Sequence, residues 1–303
     1  MTVLLALVMV AALGTWIPLA QLLPGTPDRS RIFYVAVGNV VFAGAALLIS
    51  GGGLAFGWRS FWLPLAGGVV WTAGNYCVFR ASETIGLARA AGTWTPLNIV
   101  VAFAWGAVLF GELDGFSAAR FAVLGVAFLA VVAGVLLIAG SRDSEAGPRP
   151  TTALESGRRV ATARAGLLWA GGAGILWGSY FVPAQWAAVP AQVSNFPLAL
   201  GILAGSLVLA LPAGEPVKLG VRATSAQVGA GVLFGIGNLA LLALVARVGT
   251  GTGFTIAQLS LAVNVSIGIW LFRVPAPGTR QARKVMAGIV IAGIGGCLIA
   301  AMR

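Results

Sequence analysis

"WTAGN" at 71–75, followed by "ETIGLARAAGTWT" at 83–95, returns in altered form as "FGIGN" at 234–238, followed by "RVGTGTGFTIAQ" at 247–258. Each stretch carries a Gly-Asn pair and a further glycine eleven residues past the Asn. Asn75 and Asn238 lie 163 residues apart, as do Gly74 and Gly237, and Gly86 and Gly249. A second pair agrees. "GTWIPLAQ" (14–21) and "GSYFVPAQ" (178–185) both run Gly, small hydroxyl, aromatic, then a Pro and a Gln one turn later. Matching segments in the same order, at offsets of 163 to 165, mark an internal duplication.

The surrounding sequence says where such a duplication can live. Hydrophobic residues make up 59% of the 303 and charged residues 9%, where an ordinary soluble domain has about 25% charged. Ten apolar stretches are long enough to cross a bilayer, which takes roughly 20 residues. They lie near 2–23, 32–52, 62–81, 85–110, 120–140, 165–188, 195–212, 227–246, 249–272 and 284–301. No basic residue precedes the first, so it reads as a retained span and not as a signal peptide. The one long polar stretch, 141–164, falls at the midpoint. The expected fold is an all-α integral membrane protein of ten transmembrane helices, arranged as a five-plus-five repeat. Residues 1–140 form the first unit, 141–164 a cytoplasmic linker and 165–303 the second. Five spans per unit is an odd number, so the second unit must sit upside-down relative to the first. Carriers use this inverted repeat to hold a solute between the two units.

Basic residues give the orientation. Fifteen of the 19 Lys and Arg fall in alternate gaps, the central linker among them. The other side holds only Arg59, Arg120, Arg247 and Arg303. The positive-inside rule then puts the linker in the cytoplasm and both termini outside. The same distribution ties the net charge of +11 to topology and anionic lipid, and argues against nucleic acid.

Polar side chains at membrane depth are costly and usually face a bundle interior. Asn75, Asn98, Asn238 and Gln258 are the clearest, with Asn264 beside them; Gln185 closes the second repeat motif. Amides offer donors and acceptors without charge, which suits a neutral, hydroxyl-rich ligand. Trp16, Trp71, Trp94 and Tyr180 lie near these positions in the repeat and could pack on the apolar face of a sugar ring. The expected binding set is Trp16, Asn75, Trp94, Asn98, Tyr180, Gln185, Asn238 and Gln258. Against it stands a structural reading, in which the Gly-Asn pairs are helix–helix glue and Pro96 and Pro183 only kink helices. The runs Gly288/Ala292/Gly296 and Ala130/Gly134 read as packing seams.

Several chemistries lack their residues. His is absent, and Cys77 and Cys297 sit inside apolar runs, so neither a metal site nor a disulfide framework is expected. All eight acids lie at span ends or in gaps, Glu83 and Glu112 at hairpin ends. Without a mid-span carboxylate or His, tight proton coupling through a buried acid is not expected. An enzyme's acid clusters and nucleophile–base pairs are missing too, and no cofactor is called for. A homo-oligomer remains open.

The stretches "GGVVWTAGN" (67–75) through "AWGAVLFGE" (104–112) and "GIGNLALLALVARVGTGTGFTIAQLSLAVNVSIGIWLF" (235–272) resemble the glucose/ribose porter group of bacterial sugar uptake proteins. So does "WGSYFVPAQ" (177–185). That group belongs to the drug/metabolite transporter superfamily of ten-span, inverted-repeat carriers. The resemblance implies uptake of a monosaccharide across a bacterial plasma membrane, often with protons. Within the superfamily, an exporter of amino acids or other small metabolites is the alternative.

Overall fold

The computed structural model describes residues 1–22, 26–51, 56–85, 87–140, 153–214, 216–271 and 277–301. Among them every regular element is helical. In chain order these are Thr2–Gln21 (α1), Asp28–Ile49 (α2), Trp58–Ile85 (α3), Leu87–Leu109 (α4), Ala118–Gly140 (α5) and Ala153–Trp177 (α6). Val182–Trp186 (α7), Ala191–Ala210 (α8), Val221–Val248 (α9), Thr250–Ala257 (α10), Ser260–Trp270 (α11) and Arg280–Ala301 (α12) follow. Among the described residues, five stretches are long and apolar enough to cross a membrane: Thr2–Ala20, Arg29–Ile49, Arg164–Trp186, Ala191–Ala213 and Val221–Val248.

Two expected spans differ from their reading as continuous helices. The sixth is divided between α6 and α7 at residues 178–181, and the ninth between α10 and α11 at Gln258 and Leu259. Apolar runs show no break in hydropathy at either place. What interrupts them is local bonding. Pro183, in the first turn of α7, can neither donate nor continue the ladder from α6. In α10 the Thr255 hydroxyl turns back onto the Gly251 carbonyl, 2.6 Å away, a bond that bends helices. Tight i→i+3 bonds keep both breaks satisfied, such as Val182 N–H to the Ser179 carbonyl (3.1 Å) and Gln258 N–H to that of Thr255 (3.2 Å). α6 also begins at Ala153, upstream of the expected start near 165.

The packing repeats itself. α1 lies along α9 and α11, and α6 lies along α3 and α4; α2 packs on α9 while α8 packs on α3. α2 with α8, α4 with α10, and α5 with α12 pair directly. The closest crossings are equivalent residue by residue. Gly38 abuts the Val228 carbonyl and Gly231 that of Val35, while Gly201 abuts the Leu65 carbonyl and Gly68 that of Leu198. Shifting every residue by 163 exchanges the first crossing with the second. A side chain at any of the four glycines would collide with a backbone oxygen that cannot move aside. The turns follow the same offset: Pro27 and Pro190 precede α2 and α8, and Gly51 and Gly214, with φ of +72° and +70°, lie in the turns that follow them.

The Gly-Asn pairs fit this pattern. Gly74 of α3 is pressed against Trp177 of α6, and Gly237 of α9 against Leu13 of α1. Each glycine is the notch that lets the first helix of the other half approach. The α5–α12 seam also forms, with Gly134 against Gly288 and Ala292, and Gly295 against Ala127 and Val131.

Candidate functional site

A cleft of about 660 Å³ opens at one end of the bundle. Its walls come from the end of α7 and the turn after it, the first turn of α8, the last two turns of α9 and the α4–α5 turn. Phe110, Glu112, Gln185, Ser194, Leu242 and Arg247 are among its lining side chains. Ala188, at the rim, has φ +54°, a left-handed conformation that costs a residue with a Cβ about 1 kcal/mol or more.

Two polar ties join the cleft's walls. The Glu112 carboxylate accepts the backbone N–H groups of Thr250 and, at 3.0 Å, Gly251. An anion there meets the first-turn donors of α10 and the positive end of its dipole. α10 can start at that point because Gly249, with φ +86°, turns the chain sharply out of α9. The Thr250 hydroxyl donates to Gln185 Oε1, tying α10 to α7.

Beneath the cleft runs a chain of neutral hydrogen bonds. The Tyr180 hydroxyl donates to Asn238 Oδ1 at 3.1 Å, and Asn238 Nδ2 donates to Asn195 Oδ1 at 2.8 Å. All three side chains are buried. Asn195 Nδ2, the last donor in the chain, has no hydrogen-bond partner among the described residues. Asn238 lies one helical turn from Leu242 and Asn195 one turn from Ala191, and both Leu242 and Ala191 line the cleft. The chain therefore lies deeper along both helices than the residues that line the cleft.

Aromatic rings fill the centre beside it. Trp94 meets Trp177 edge-on at 6.1 Å, and Trp177 stacks on Trp71 at 6.3 Å. The Trp177 indole N–H donates to the Trp71 carbonyl at 3.2 Å. Trp71 and Trp16 both contact Phe234, at 4.9 and 5.2 Å. Trp71 and Phe234 are 163 apart in sequence, so equivalent positions of the two halves touch here.

The eight sequence-predicted residues fall into groups. Tyr180 and Asn238 share the buried chain, Gln185 lines the cleft, and Trp16 and Trp94 belong to the aromatic cluster. Gln258 is separate: its Nε2 bonds the Phe254 carbonyl of its own helix at 3.4 Å. Asn75 and Asn98 are buried, Asn98 Oδ1 without a partner among the described residues. Neither Asn75 nor Asn238 lines the cleft itself. The Glu83 side chain lies outside the described residues. Asn195, Thr250 and Trp177 were missed by sequence reasoning. Asn195 sits at the expected first residue of its span, where an Asn meets water; α8 in fact starts one turn earlier and draws it inside.

Comparisons with known proteins bear on the whole chain. Residues 4–302 match the family model described as sugar transport protein. A provisionally named sugar uptake protein of Listeria innocua is 24% identical over 299 residues, 99% of this chain and 98% of that one. A provisionally named ribose uptake protein of Lactiplantibacillus plantarum is 23% identical over 284 residues, 92% and 91% of the two chains. A crystal structure 21% identical in sequence superposes with a TM-score of 0.69 over 97% of this chain and 96% of its own, a likeness of fold.

Proposed function

This chain belongs to the sugar transport protein family, a multi-pass bacterial membrane carrier and not an enzyme, and we propose that it takes up a small neutral solute, a monosaccharide first of all. Transport runs by alternating access between two inverted five-helix units, residues 1–140 and 165–303, joined by a cytoplasmic linker. Support for that architecture comes from the crossings of Gly38 with Gly231 and Gly68 with Gly201, which exchange under one offset, and from the directly paired helices. With the linker inside, the cleft beside Glu112, Gln185 and Arg247 opens outward, the side from which an uptake carrier loads.

The observation that carries the substrate class is the Tyr180–Asn238–Asn195 chain: buried, uncharged, and ending in an amide atom left over for a ligand. A sugar hydroxyl can meet that atom as donor or acceptor. The relatives named for sugar and ribose uptake favour the same class. A second reading rests on the cleft's rim, where Glu112 and Arg247 present opposite charges that suit an amino-acid zwitterion. Uptake of labelled monosaccharides and amino acids into proteoliposomes separates the two. Entry of a sugar, competed by unlabelled sugar and not by amino acids, is the expected result; entry of amino acids alone would transfer the site to the second reading.

A further inference from the structure

The neutral chain below the cleft ends at Asn195. Tyr180 donates to Asn238, and Asn238 donates to Asn195. Each amide oxygen in it is occupied, and so is the Asn238 NH₂. What is left over is the NH₂ of Asn195, a residue 1% exposed whose Nδ2 has no partner among the described residues. Leaving a buried donor unpaired costs about 1–3 kcal/mol, and native proteins keep such groups where a ligand or water takes them up. Ser194, the next residue, and Ala191, one turn earlier, both line the cleft. The unpaired donor is thus on the helix that forms the cleft wall, just beneath its floor.

We propose that Asn195 is a substrate-contacting residue, its terminal amide hydrogen-bonding one ring hydroxyl of the sugar, while Tyr180 and Asn238 act behind it as positioning residues. This rests on the sugar reading given above. The free atom of the Asn195 amide explains why a hydroxyl is the fitting partner. Rotating both amides by half a turn would reverse the chain, with Asn195 Nδ2 donating to Asn238 Oδ1, and leave the Asn195 oxygen over. A hydroxyl satisfies the free atom either way, because it donates and accepts. A carboxylate or an ammonium could serve one arrangement alone. The positioning role of Tyr180 follows from the same geometry: its hydroxyl, held at Asn238, keeps one side of that amide engaged in either arrangement and leaves the free atom at Asn195.

The test is specificity, not bare activity. Binding of D-glucose, D-ribose and their monodeoxy analogues to purified protein is followed by tryptophan fluorescence, with Trp16, Trp71 and Trp177 nearby as reporters. In the wild type one monodeoxy analogue should bind about tenfold more weakly than its parent, the loss of one well-placed hydrogen bond. In Asn195→Ala the parent should weaken to match that analogue, so the difference disappears, while the penalties at other ring positions persist. Asn195→Leu, of similar volume and without polar atoms, repeats the test should the alanine variant fold poorly. Tyr180→Phe should blur the same single preference without abolishing binding. A wild type that binds sugars with no deoxy penalty, or an Asn195 variant that keeps the penalty unchanged, overturns the inference and leaves the sugar reading standing. A wild type that binds neither sugar overturns both.

Discussion

Asn238 spends both ends of one amide, accepting from Tyr180 and donating to Asn195 in a fully buried setting. Removing it strands a hydroxyl and an amide oxygen together, so the cost exceeds that of one exchanged hydrogen bond. Asn238→Ala should weaken apparent sugar affinity by about 1–3 kcal/mol, roughly five- to 150-fold, in proteoliposome uptake. Gln258→Ala should do far less, because among the described residues its amide bonds only the Phe254 carbonyl of its own helix. Asn264→Ala, at a half-buried position on α11, should resemble it. Equal losses in all three variants would reduce Asn238 to a packing residue. The contrast between Asn238 and Gln258 is invisible in sequence. Both are amides in apolar runs, and only the neighbouring helices decide which one finds a partner outside its own turn.

At the scale of helices, the glycine crossings are the most constrained feature. Gly38 and Gly201 each face a carbonyl oxygen of a helix from the other half, and backbone cannot step aside as a flexible side chain would. Gly38→Ala and Gly201→Ala should therefore each cost stability through overpacking, about 1–3 kcal/mol, seen as a lower thermal midpoint and by similar amounts because the two crossings match. Gly171→Ala, with open space around it, should be neutral or mildly stabilising through helix propensity. Thermal unfolding of the solubilised protein measures all three; unequal losses at Gly38 and Gly201 would break the equivalence. These elements also show how far the sequence was legible. The Gly-Asn pairs were legible as notches, since Gly74 and Gly237 each lie against a neighbouring helix where a larger side chain would collide. The breaks after Trp177 and Ala257 were not announced, because a change in bonding direction leaves hydropathy untouched. Asn195 was misjudged through a span boundary one turn out. Trp177 gave no signal of its own, an indole in an apolar run being equally at home in lipid, and its place in the aromatic cluster shows only in its stacking on Trp71.

For the whole molecule, a carrier with no His and with its acids at span ends has no obvious group to take a proton across the membrane. Glu112, the acid at the cleft, is engaged with the first turn of α10. Sugar should equilibrate and not accumulate when an inward-directed proton gradient is imposed on proteoliposomes; accumulation lost in Glu83→Gln or Glu112→Gln would identify that acid as a coupling group. The central claim is that the cleft beside α9 faces outward and leads to the sugar. Ala246 lines that cleft and is exposed, so it offers a handle that touches none of the polar chain. With Cys77 and Cys297 replaced by Ala, Ala246→Cys in intact cells is treated with a membrane-impermeant maleimide. The expected result is rapid labelling from outside that the transported sugar slows. Labelling confined to inside-out vesicles, or a rate that no transported sugar changes, would contradict it.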